Sequence, residues 1–485
     1  MAAFNHIKRG VGRFLGNKIV LYAVLAALSL LCGFLLASGL ITVPIFIIGG
    51  LIGILVIYYC LTRPMIGFFI VTIISFFVAY PERLLRMQIP LSTGIEVLVL
   101  LLFLASSGMQ HKPGSGNFYR TPVSVAFFIY LLFIIVEFFN PNMYSIAGWT
   151  FYVRRLLMFI LIYIISYRLF DDFKKVKAFI KLWFILAFLA AAYACFQQWF
   201  GMLPFEMDYL MSNPHEYKLY FQGGTIRKFS FLADPATFGV MAGASSVFML
   251  VLAINEKRPK RRRLLFFFFF VLTIGMTYSG TRTTNIMLPA ALCLYALLTI
   301  TNKTTLITLC VFFLAVAFIF FGPLQNNTIN RIRSTFDSKE ESVAVRDENR
   351  KYIQPYIYTH PLGGGVATSG VQGERFNPGH SLAGFPPDSG FLLAAIELGW
   401  IGYIITVLVY FLMLYQAVHY YFLTNNEQHR LYIAALTVSL FSVIITQYSQ
   451  VTIGQLPTAL FFYAALALIT RLKEFETDNP ISIVN

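Results

Sequence analysis

Apolar runs of about 17–25 residues recur along this chain from near its start to near its end. That pattern narrows the fold more than any other feature. A bilayer core has no water to satisfy backbone N–H and C=O groups, so only helices and closed barrels can cross it. The runs are continuous rather than alternating, which selects helices. Composition agrees: 58% of the residues are hydrophobic and 12% charged, against roughly a quarter charged in a soluble domain. The expected fold is therefore all-α, a polytopic inner-membrane helical bundle of about 12–14 transmembrane helices with one long periplasmic loop.

About fourteen spans can be placed, near 19–39, 41–61, 65–80, 92–107, 122–139, 152–169, 177–200, 236–254, 264–280, 283–300, 304–322, 390–420, 431–450 and 455–470. The run at 390–420 is long and carries Gly399 and Gly402 in its first third, so it can begin as a separate short helix. The positive N-terminal stretch with Lys8, Arg9, Arg13 and Lys18 precedes an apolar run too long for a cleaved leader, which reads as a retained first span. With the N-terminus inside, about 22 of the 37 basic residues fall on the inner side, including Lys174, Lys175, Lys177 and the run Lys257 to Arg263. Both termini are then cytoplasmic. The chain divides into N-terminal helices (1–200), a periplasmic loop (201–235), helices (236–322), a long periplasmic loop (323–388) and C-terminal helices (389–485).

The formal net charge of +15 sits in loops between spans, which excludes a nucleic-acid reading and points to anionic lipid head groups or an anionic lipid-linked substrate. The five cysteines all lie in apolar runs, and no metal-ligand spacing appears. No internal repeat is evident, and the ionisable residues deep in spans are Glu96, Glu137 and Glu397. Both features argue against a coupled transporter.

Three polar patches face the same side. The first runs from Arg227-Lys228 to Asp234-Pro235, where Asp234 reads first as the cap of the following helix. The second is the tight turn Ser279-Gly280-Thr281-Arg282. Arg282 suits a phosphate because its planar fork bonds oxygens bidentately, or alternatively snorkels to lipid head groups. The third is segment 323–388, with Arg331, Arg333, Arg346, Arg350 and Arg375. Arg346 and Arg350 share a face if 345–358 is a helix, which can equally be an amphipathic surface helix. The glycines after His360-Pro361, Gly364 among them, can offer N–H groups to an anion or simply form a tight turn. They lack the Lys-Ser/Thr of a nucleotide loop. Candidate proton acceptors are Asp388, His380, His360 and Asp234, with His360 before proline the more structural.

Taken in order, these patches resemble the O-antigen ligase and Wzy-type polymerase superfamily over roughly residues 220–405. Arg227 with Asp234-Pro235 matches an arginine ahead of an Asp-Pro helix entry. Ser279-Gly280-Thr281-Arg282 matches a Ser-x-Ser-Arg turn. Arg346 precedes Pro361-Leu-Gly-Gly364 as an arginine precedes Pro-x-x-Gly, and Glu397-Leu-Gly399-Trp-Ile-Gly402 matches Glu-x-Gly-x-x-Gly. Two departures stand out: Asp388-Ser389 occupies the family's His-Asn position, and Ala236 follows Asp-Pro where asparagine is common.

The resemblance implies glycosyl transfer on the periplasmic face without metal, nucleotide or other cofactor. The donor would be an oligosaccharide on undecaprenyl pyrophosphate, and the acceptor another glycan or lipid A core, with a chain-length regulator protein as a further partner class. It implies that Arg227 and Arg282 bind the pyrophosphate, that Arg346, with Arg350 and Gly364, completes substrate binding, and that Asp388 or His380 accepts the hydroxyl proton. A polymerase is slightly favoured over a ligase, because the polymerases' motifs are looser. A lipid-linked oligosaccharide flippase is the rival of another class.

Overall fold

The computed structural model describes residues 42–86, 91–109, 115–212, 214–222, 224–300, 303–323, 329, 333 and 341–477. The first span, Lys8, Arg9, Arg13, Lys18 and Arg331 lie outside the described residues. Contacts divide the chain into a unit of residues 1–63 and a unit of residues 64–485. In the first, Thr42–Thr62 forms α1, whose apolar residues run around the whole helix.

In the larger unit every remaining apolar run folds as helix. The helices are α2 (Pro64–Phe76), α3 (Tyr80–Leu85), α4 (Leu91–Ser107), α5 (Pro122–Val136), α6 (Ile146–Leu169), α7 (Phe173–Trp199), α8 (Pro204–Ser212) and α9 (Pro214–Tyr220). A two-residue hairpin, β1 (Phe221–Gln222) and β2 (Thr225–Ile226), precedes α10 (Pro235–Asn255). Then follow α11 (Pro259–Tyr278), α12 (Arg282–Leu298), α13 (Lys303–Phe321), α14 (Glu341–Thr359), α15 (Gly370–Phe376), α16 (Gly390–Glu397), α17 (Gly399–Leu423), α18 (Glu427–Thr446) and α19 (Thr458–Thr477). Six of the described helices are long and apolar enough to cross a membrane, and several shorter ones are apolar throughout. The protein is a polytopic helical membrane protein. The run at 390–420 is indeed two helices, α16 and α17, broken at Leu398, the cap shared by both, and Gly399.

The centre of the bundle is α10. Its sequence carries Gly239, Ala242, Gly243, Ala244, Ser245 and Ser246, and small side chains let neighbouring backbones approach where lipid supplies no hydrophobic drive for association. α7, α11, α12 and α18 pack around it, and α10 is buried along nearly all its length. Beside it α18 and α19 continue the core, with α19 against α6 and α17 against α5. The Trp183 indole N–H donates to Ser245 Oγ at 3.0 Å, tying α7 to α10.

Local signals set the helix starts. Asp234 caps α10, its Oδ1 accepting from the N–H groups of Ala236 (2.8 Å) and Thr237 (2.9 Å), with Pro235 as the first helical residue. Thr121 and Pro122 open α5 in the same way, and Ser389 caps α16 by accepting from Leu392 N–H. The loops that carry the polar patches therefore hang from well-defined helix ends.

Candidate active site

The loop before α10 is built on a buried carboxylate. Glu206 accepts from Tyr193 Oη (2.9 Å), Gln197 Nε2 (2.9 Å) and the Leu203 N–H (3.1 Å), and burial pushes its pKa up. The Gln197 oxygen in turn accepts from Ser230 N–H at 2.9 Å, which fixes the chain just after Arg227 and Lys228. The Lys228 side chain is buried, and burial lowers its pKa while the Glu206 charge opposes that.

So anchored, Arg227 reaches the turn between α11 and α12. Its Nε donates to Ser279 O at 3.0 Å and its Nη2 to Thr281 Oγ1 at 2.7 Å, while the Lys228 N–H donates to Tyr278 O at 3.0 Å. The first two polar patches are thus one structure. Arg282 is the first residue of α12, where the helix dipole adds positive potential. The Arg227 guanidinium has its pKa lowered, chiefly by burial. Asp234 opposes the lowering, and the positive charges of Arg282 and Arg346 add to it. Arg282 and Arg346, from two other segments, therefore lie within electrostatic reach of Arg227. Asp234, the carboxylate that offsets them, is committed to its cap. Its Oδ2 also accepts from Thr237 Oγ1 at 2.6 Å. Such a gathering of like charge is relieved by an anion.

The segment after α18, residues 447–455, draws the remaining pieces together. Gln447 O accepts from Gly390 N–H and from Ser389 Oγ, each at 2.9 Å, and so holds the start of α16. Arg350 donates to Tyr448 O and to Tyr448 Oη at 3.3 Å and lies over the Tyr448 ring, 4.8 Å from its centre. Ser449 bonds Thr283, next to Arg282, and Gln455 accepts from Thr237 at the start of α10. Nothing in the sequence reading pointed to this segment. The only available signal was its run of glutamines and hydroxyls between two apolar spans.

Asp388 sits immediately before this contact. It is half-buried and makes no hydrogen bond or ion pair among the described residues, which leaves both carboxylate oxygens available. His380 is different. It is 7% exposed, its Nδ1 accepts from Leu382 N–H at 3.1 Å, and its ring bonds the Asn142 backbone. Burial lowers its pKa, an effect the Asn142 bond opposes and the His360 charge reinforces. Its Nδ1 is thus committed within the loop.

The glycine turn is structural too. The Gly364 N–H donates to Ile396 O (2.9 Å), Gly365 N–H to Glu397 O (2.8 Å), and Gly363 N–H to His360 O (2.8 Å). The Gly364 and Gly365 N–H groups thus cap α16, while that of Gly363 closes the turn on His360 O. From the other side, Trp400 N–H donates to Pro361 O at 2.9 Å. The Pro-x-x-Gly and Glu-x-Gly motifs therefore interlock. Glu397 adds a second tie, accepting from the N–H groups of Ala367 and Ser369 (3.1 Å each) and from Ser369 Oγ (2.5 Å). Asn140 and Asn142 clamp the same turn from the loop before α6, donating to Leu362 O and Gly363 O at 2.8 Å. Arg333 donates to Gly322 O and Arg375 is exposed over Phe376, so neither joins the cluster.

Fold and loops together define a polytopic helical membrane protein that brings Arg227 to the turn before Arg282. Residues 265–407 match the family model described as O-antigen ligase, which supports the resemblance to the O-antigen ligase and Wzy superfamily read from the motifs. The matched stretch contains Arg282, Arg346, Arg350, His380 and Asp388, while Arg227 lies ahead of it. No curated protein matches the chain.

Proposed function

We propose that the protein transfers a glycan from undecaprenyl pyrophosphate to a sugar hydroxyl on the periplasmic face of the inner membrane, without a metal or nucleotide. The observation that carries this reading is the convergence of Arg227, Arg282 and Arg346. A pyrophosphate leaving group gains negative charge as its bond to the sugar breaks, and fixed guanidinium groups stabilise that charge most in the transition state. Arg227 and Arg282 bind the pyrophosphate, and Arg346, brought in by α14, completes the cluster. Arg350 positions α14 against Tyr448. The acceptor oxygen forms its bond to the anomeric carbon, the bond to the pyrophosphate oxygen breaks, and the hydroxyl proton passes to a base. Asp388 is that base in this account, because its oxygens make no hydrogen bond among the described residues, while His380 is buried with its Nδ1 taken by the Leu382 N–H.

Repeat-unit polymerisation is the form we favour, since Asp388 and Ser389 stand where the ligase pattern has His-Asn. Transfer to lipid A core is the second reading, supported by the family model's own description. Glycan analysis of a deletion strain separates them. Single-repeat surface glycan marks a lost polymerase, and long polymer held on the carrier with none on lipid A marks a lost ligase. Repeats trapped in the cytoplasmic leaflet would mean a flippase and refute glycosyl transfer.

A further inference from the structure

A cavity of about 380 Å³ opens beside the site and runs down into the bundle. Gln372, Pro387 and Gln455 stand at its loop end, and Gln455 is the residue bonded to Thr237 at the start of α10. Its walls are helix stripes at helical spacing. Tyr152, Arg155 and Phe159 come from α6, and Thr406, Tyr410 and Met413 from α17. Met413 lies about 21 Å along α17 from its loop end, at 1.5 Å per residue, so the cavity is long and narrow. Most of its lining is aromatic or aliphatic, which suits a hydrocarbon chain.

One residue breaks that character. Arg155 lines the cavity about 14 Å below the start of α6. A cation within a span is costly, and its presence there calls for a function. One amino group donates to Gly454 O at 2.6 Å, in the same segment that gathers the candidate active site, and no carboxylate among the described residues is bonded to Arg155. The carboxylate of Glu96 is bonded instead to Arg154 (2.5 Å). Glu397 also lines the cavity, but its oxygens are filled by Ala367 and Ser369. The cavity thus combines an apolar channel with a guanidinium that no carboxylate among the described residues bonds.

We propose that this cavity is a second lipid site, which takes the chain of a phosphorylated lipid and pairs its phosphate with Arg155. It is distinct from the Arg227–Arg282–Arg346 cluster. Resting on the transferase reading, its occupant is the lipid-linked acceptor, because a transferase with its donor pyrophosphate at the arginine cluster needs a second place for the molecule that supplies the hydroxyl.

The test uses the full chain purified in maltoside detergent, with thermal unfolding followed as hexadecyl phosphate, hexadecanol or inorganic phosphate is added. Hexadecyl phosphate should raise Tm saturably, while the alcohol and inorganic phosphate do not at matching concentration. Arg155→Gln should raise the half-saturating concentration at least tenfold. Arg155→Lys should stay within about threefold, and Arg282→Ala within about twofold. Equal stabilisation by hexadecanol would reduce the site to an apolar channel, and stabilisation by inorganic phosphate alone would remove the chain from the account. Displacement by equimolar phosphatidylglycerol would assign the site to bulk lipid. Loss of binding in Arg282→Ala would merge it with the active site. Each of these overturns the proposal, and if Arg155→Gln does not fold, the alcohol comparison and Arg155→Lys still decide. Binding is read without turnover, so a protein that binds the probe as expected but transfers no sugar refutes the transferase reading and leaves the cavity assignment standing.

Discussion

Gly399→Ala tests the interlock that holds the long loop on the bundle. Gly399 has φ +65°, and a Cβ there would lie 2.0 Å from Pro361 O and 2.5 Å from Gly363 N, both backbone atoms with no side-chain freedom to retreat. The left-handed conformation alone costs a residue with a Cβ about 1–2 kcal/mol. Moving the two segments apart also weakens the bonds Trp400 N–H to Pro361 O, Gly364 N–H to Ile396 O and Gly365 N–H to Glu397 O. At roughly 0.5–1.5 kcal/mol each these add about 1.5–4.5 kcal/mol, so docking of the turn weakens by about 3 kcal/mol or more. Because α14 packs on this region through Ile353 against Ile396 and Leu382, the opened state frees α14 as well. With a factor of ten per 1.4 kcal/mol, its population rises about a hundredfold. When opening and closing are fast, cleavage tracks the open population, so trypsin should cut after the exposed Lys351 about a hundred times faster. Gly379→Ala, with open space around the added carbon, is the control. Cleavage of Gly399→Ala within threefold of wild type would show that the interlock does not hold the loop.

Arg227→Lys keeps the charge but cannot reach Ser279 O and Thr281 Oγ1 together, so transfer should fall at least tenfold with little change in Tm, measured by product formation and thermal unfolding on the same preparation. Glu397→Gln turns an acceptor towards Ala367 or Ser369 into a donor, which should destabilise the turn by about 1–3 kcal/mol and lower Tm. His380 has a folded pKa below its usual 6.5, so its contribution to stability is complete above that value and is lost as the pH falls through the folded pKa. Tm should therefore drop as the pH falls below His380's usual 6.5, and His380→Gln should flatten that dependence.

The helices were legible because apolar run length is set by the bilayer, and even the break at Gly399 could be seen as a glycine inside an overlong run. Arg227, Arg282 and Arg346 were legible as residue types suited to phosphate, but the bonds from Arg227 to Ser279 O and Thr281 Oγ1 that join the first two patches were not. The role of 447–455 was not legible, because its contacts are backbone carbonyls and amide side chains that carry no signature of partner or distance. Gly364 is hard to read from sequence for a related reason. A glycine whose N–H caps a distant helix and one whose N–H holds an anion look alike until the partner, here Ile396 O, is placed. Arg155 did not stand out in the sequence, since a sequence window does not show which side of a helix faces a cavity.

The central claim is tested most directly by transfer in vitro. Purified protein in nanodiscs would be given a defined lipid-linked repeat unit in EDTA with no nucleotide, and the products sized by gel. The account predicts glycan extended in steps of one repeat, or moved onto added lipid A core, with at least a hundredfold loss in Arg282→Ala at normal Tm. Full activity in Arg282→Ala, or no transfer by wild-type protein to either acceptor, would contradict it.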